Sequence, residues 1–114
     1  MNVAIVRGRL SSEPRVLELE SGDVLVRYEV TVARPEGPPD TVPAAWIGPA
    51  GDQPPGLTAG DEVLVFGRVR RRFWRGPDAL RSATEVVADS VLAADDRRRV
   101  NAVLRKAAAV VADA

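Results

Sequence analysis

Hydrophobic and polar positions alternate with a period of two along most of this chain. The clearest case is Val24 to Arg34. Val24, Val26, Tyr28, Val30 and Val32 take one face, and Leu25, Arg27, Glu29, Thr31 and Ala33 the other. That period over that length predicts a half-buried antiparallel strand. Asn2–Leu10 is apolar and β-branched before it alternates, and Arg15–Glu20 is a short second run after Glu13-Pro14. Ser21-Gly22-Asp23 then joins two strand-like runs as a tight turn. Thr41–Ile47 reads as another strand, which Pro43 confines to an edge or a bulge. Asp61–Trp74 is the longest run, Arg75-Gly76-Pro77-Asp78 its turn, and Leu80–Leu92 the return strand. In that last strand Thr84, Val86, Ala88 and Ser90 alternate against Glu85, Val87, Asp89 and Val91.

Five or six short strands at this spacing predict an all-β barrel or sandwich over residues 1–93. The period changes after that. Asp95 or Asp96 can cap a helix, and Val100, Val103, Leu104, Ala107 and Val111 recur at three- and four-residue spacing through Ala112. Residues 94–114 are therefore expected to form an added amphipathic helix. An isolated helix of this length is marginal in water, so its apolar stripe is expected to pack on the strands or on a neighbouring subunit.

Composition narrows the chemistry. The chain has no Cys and no His, which removes thiolate and imidazole metal ligands, disulfides and the usual general base. The carboxylate pairs Asp61-Glu62 and Asp95-Asp96 read as a strand entry and a helix cap; neighbours on a strand point to opposite faces and cannot chelate one ion together. No glycine loop cradles a phosphate. No catalytic residue, metal ligand or cofactor site is assigned, and an enzyme is not expected. Met1–Arg7 has too few apolar residues before its first charge for a signal peptide, and no run approaches a membrane span. A soluble cytoplasmic protein is expected.

Formal net charge is zero, so the distribution of charge matters more than its sum. Lys106 is the only Lys, and six Arg fall between Arg68 and Arg81 against one acid, Asp78. Alternation places Phe66, Arg68, Arg70, Arg72 and Trp74 on one side of the longest strand. Guanidinium groups contact phosphates, and an indole near a loop tip stacks on a base. The same pattern also fits a solvated edge strand whose Arg residues prevent aggregation.

Asn2–Leu10 with Glu13-Pro14, the hairpin at Ser21-Gly22, the segment Gly60–Val69 and the run Thr84–Val87, in this order, resemble the bacterial single-stranded DNA-binding proteins. The resemblance implies a five-stranded OB-fold barrel, assembled as a homo-oligomer (tetramer before dimer), that binds single-stranded DNA without sequence preference. It implies base stacking on Trp46 and Trp74 and phosphate contacts from Arg68, Arg70, Arg72 and Arg75, with Arg7, Arg9 and Arg27 lining the groove. The family's helix between its third and fourth strands, with its stacking aromatic, is replaced here by Gly48–Gly60, which contains three Pro and no aromatic. The helix ending at Ala112 stands where the family has an acidic tail, so tail-mediated recruitment of other proteins is not expected. Two other functions fit: an oligomeric protein-interaction paralogue with weak or lost DNA binding, and an RNA-binding module.

Overall fold

The computed structural model describes residues 1–113. Six strands, β1 (Ala4–Leu10), β2 (Arg15–Glu18), β3 (Asp23–Val32), β4 (Asp40–Pro49), β5 (Glu62–Arg75) and β6 (Leu80–Ala93), precede one helix, α1 (Arg97–Ala112). A short 3-10 turn, Ala50–Asp52, lies in the Gly- and Pro-rich stretch before β5.

All six strands belong to one sheet, in the order β1-β5-β6-β4-β3-β2. A further pairing, Arg9↔Thr31 and Leu10↔Val30, joins β1 to β3. Five of the strands thus form a closed ring of hydrogen-bonded neighbours. The resemblance implies five strands and six are present: after the break at Ser11–Pro14, β2 (Arg15–Glu18) is a strand of its own, where the sequence pattern shows a separate run. It pairs with Val24–Arg27 of β3, on the edge that β1 uses at Val30 and Thr31. β4 lies inside this order. It pairs with β3 along its length but with β6 only at Ala44 and Ala45, so the edge it turns toward β6 is unpaired at Pro43.

One face of each ring strand supplies the core: Leu10, Val24, Val26, Tyr28, Val30, Ala44, Trp46, Val63, Val65, Val86, Ala88 and Val91. Burial pushes the Tyr28 phenol up to about 12. The β6 pattern departs from simple alternation. Phe66 faces Ser90 while Gly67 faces Ala88, leaving Asp89 as an extra residue on β6. This bulge moves Val91 onto the core face with Val86 and Ala88, a place the alternation had given to Ser90. A Cβ on Gly67 would collide with the carbonyl oxygen of Val87, so the close approach of the two strands requires glycine there.

At the N-terminus of α1, Asp96 is the cap. Its side chain accepts a hydrogen bond from the Arg99 amide at 3.2 Å. The helix packs mainly against β5 and β6 and buries Ala107, leaving Leu104, Val110 and Val111 exposed. Among the described residues no helix is long and apolar enough to cross a membrane.

Candidate nucleic-acid interface

The β5–β6 hairpin outgrows the ring. β1 pairs with β5 no further than Gly67, where Asn2 extends the contact by exchanging two side-chain hydrogen bonds with the Val69 backbone, at 2.7 and 2.9 Å. β4 leaves β6 at Val86. Beyond these points Arg70–Arg75 and Leu80–Glu85 pair only with each other. The result is a two-stranded arm about 20 Å long, at roughly 3.4 Å per residue. Its end is closed by a hydrogen bond from the Gly76 amide to the Ala79 carbonyl, 2.8 Å.

Register divides the arm into two faces. Arg70, Arg72 and Trp74 lie opposite Glu85, Ala83 and Arg81; Arg71, Phe73 and Arg75 lie opposite Thr84, Ser82 and Leu80. On the first face Glu85 is the only buried charged residue among those described, 5% exposed. One carboxylate oxygen accepts from the Arg70 guanidinium at 2.7 Å and from Arg72 Nε at 3.2 Å. Burial pulls the Glu85 carboxyl upward. The hydrogen bond from Arg70 and the positive charges of Arg72 and Arg70 outweigh it and hold the group below the usual carboxylate range. The same Arg72 guanidinium lies over the Trp74 ring, 4.7 Å from its centroid. Glu85, Arg72 and Trp74 thus form a chain that orients an indole still 39% exposed. The Nε of Arg70 is buried without an acceptor.

These positions change the expected site. Trp46 is buried among the core residues, with its ring against Gly48, so it is a packing residue rather than an open stacking platform. Ala44 and Trp46 both point into the ring, and Gly48 leaves room for the indole. Arg70 and Arg72 share the single carboxylate of Glu85, which offsets part of their charge and fixes their position. Arg7 pairs with Glu62 at 3.0 Å, and with Arg9 it lies on β1 opposite Leu64 and Glu62 of β5, away from the arm. Arg68 and Arg75 are exposed and, among the described residues, form no ion pair. Arg27 shares a row across the sheet with Ala45, Val87 and Arg68, about three strand spacings or 14 Å from Arg68. The structure therefore joins Arg68, Arg70, Arg72, Trp74 and Arg75 on one hairpin, with Arg27 at its root. Arg7 and Arg9 lie apart.

Arg71 and Phe73 are not among the residues that the sequence nominates for the site. The Arg71 guanidinium lies 5.1 Å from the Phe73 centroid, and its NH2 and Nε donate to the Ser82 hydroxyl at 3.1 and 3.4 Å. Phe73 is 58% exposed. The available signal was the run Arg71-Arg72-Phe73-Trp74, which at period two places one Arg-and-aromatic pair on each face. Compared with known proteins, the chain matches no family model and no curated sequence.

A carboxylate held below its ordinary value stabilises the fold above its unfolded pKa and loses that contribution as pH falls through the folded one. For Glu85 the loss begins as pH falls into the ordinary carboxylate range and continues below it. Glu85→Gln is expected to cost about 1–3 kcal/mol at neutral pH through two weakened bonds, and to flatten the acid limb of a stability–pH curve. Denaturant titrations from pH 7 to 3 test this. Parallel acid limbs for the two proteins would contradict it.

Proposed function

We propose that this chain binds single-stranded DNA without sequence preference, as an OB-fold barrel of the kind found in bacterial single-stranded DNA-binding proteins. The observation that carries the reading is the exposed Trp74 indole at the end of an arginine-rich arm, held in place by Arg72 and Glu85. An indole fixed before binding loses little side-chain freedom when a base stacks on it. The closed ring of five strands supports the barrel. Phosphate contacts fall to Arg68 and Arg75, which have no carboxylate partner among the described residues, with Arg27 as a further cation at the arm's root. Nothing in this arrangement selects DNA over RNA, and oligo-U competing equally with oligo-dT would move the proposal to single strands in general.

Protein interaction is the second reading, favoured by one observation. The outer face of β2, β3 and β4 carries Leu17, Leu25 and Ile47 in one row, with Leu17 and Ile47 exposed where a nucleic-acid face would carry aromatics. Fluorescence separates the two, because Trp46 is buried and quenching by oligo-dT reports on Trp74. The binding reading expects quenching that weakens with salt and an affinity loss of about tenfold in Trp74→Ala. It expects Arg68→Ala to make the salt slope shallower by about 0.7, for one lost phosphate contact. Unquenched fluorescence at low salt would overturn it in favour of the protein-interaction reading.

Assembly belongs to the same proposal. Ala4–Gly8 of β1 pairs with β5 on one edge only, and Ile5 is exposed. An open apolar edge is a template for pairing with another chain. We propose a homo-oligomer of closed symmetry, tetramer before dimer. Light scattering at micromolar concentration should give a multiple of the chain mass, and a monomer would contradict this.

A further inference from the structure

We propose that Phe73 and Arg71 form a second base-stacking site, on the face of the arm opposite Trp74, so that a single strand is gripped on both sides of the ribbon. The inference rests on the base-stacking reading above. Three observations carry it.

The first is the repeated geometry. Arg72 covers Trp74 at 4.7 Å, and Arg71 covers Phe73 at 5.1 Å. The two pairs have the same two-residue spacing, displaced by one position, and one position on a strand is a change of face. Each guanidinium is itself anchored on β6, Arg72 by Glu85 and Arg71 by Ser82.

The second is exposure. Phe73 is 58% exposed against 39% for Trp74. It sits on a segment that pairs with nothing beyond its own hairpin. A two-stranded ribbon is marginal in water without a packed face, so an open phenyl ring there adds nothing to the core and is free to receive a π-face.

The third is charge. On the Trp74 face Arg70 and Arg72 share the Glu85 carboxylate. On the Phe73 face the residues opposite Arg71, Phe73 and Arg75 are Thr84, Ser82 and Leu80, none of them acidic. Arg71 and Arg75 therefore keep their full charge, and the Phe73 face attracts phosphate in its own right: its two cations match the net charge of the Trp74 face, where Arg70, Arg72 and Arg81 stand against the one carboxylate of Glu85. A strand stacked on Trp74 alone would leave this charge unused. Passing over the arm, it meets both.

The test moves the reporter. In Trp74→Phe/Phe73→Trp the buried Trp46 stays as a constant background, and the new indole reads the second face. Oligo-dT is expected to quench it, and Phe73→Leu, which keeps apolar bulk but removes the ring, is expected to lose about tenfold in affinity for a long oligo-dT. If oligo-dT quenches Trp74 in the parent but not the indole at position 73, and Phe73→Leu binds like the parent, the second site is overturned and the first stands. If neither indole is quenched, base stacking on the arm fails and the second site falls with it. A blue-shifted emission from position 73 before DNA is added would place the ring against another protein chain and would also overturn the proposal.

Discussion

Where β5 passes from the ring into the arm, its backbone at Gly67 lies against the Val87 carbonyl, opposite a strand that carries one extra residue, Asp89. A bulge of this kind bends its strand and sharpens the local twist. Both halves of the hairpin depend on it. On the ring side it turns Val91 inward beside Val86 and Ala88 and lets β5 and β6 coil around the core. On the arm side it sets the register that places Glu85 directly opposite Arg70. A side chain at position 67 would push the strands apart and disturb core and arm together.

Glu85 then decides how the arm's charge is distributed. A buried carboxylate without partners would be expensive, and two guanidinium groups offset that cost. Two of the arm's cations are thereby spent on structure, and the gain is an ordered chain from carboxylate to guanidinium to indole. The arm is consequently asymmetric. One face has its cations partly offset by Glu85 and presents a fixed aromatic; the other carries no acid and presents a smaller ring, beside a guanidinium held by a neutral hydroxyl. The formal neutrality of the whole chain conceals this local division.

Strand periodicity made much of this legible in advance. The faces of β3 could be read directly, because ten residues alternate without interruption. So could the grouping of Phe66, Arg68, Arg70, Arg72 and Trp74, because the irregularity at Gly67 adds its residue to β6 and leaves the alternation of β5 intact. The placement of Val91 was not legible, since a bulge carries no signature in Ala88-Asp89-Ser90. Nor was the fate of Arg70 and Arg72: that depends on which residue of a distant strand comes opposite, a matter of register rather than of local pattern. Trp46 failed as a site residue for a related reason. On a strand paired on both sides, the face that Trp46 shares with Ala44 is the interior one, and composition alone does not say which face of such a strand is covered.

Amide NMR of the intact protein during an oligo-dT titration addresses the central claim, that the arm is where a single strand is held. Shifts are expected to centre on Arg70–Arg75 and Leu80–Glu85, with the Trp74 indole resonance moving and that of Trp46 staying in place. Shifts confined to Leu17, Leu25 and Ile47, or a moving Trp46 indole with a silent arm, would contradict the claim.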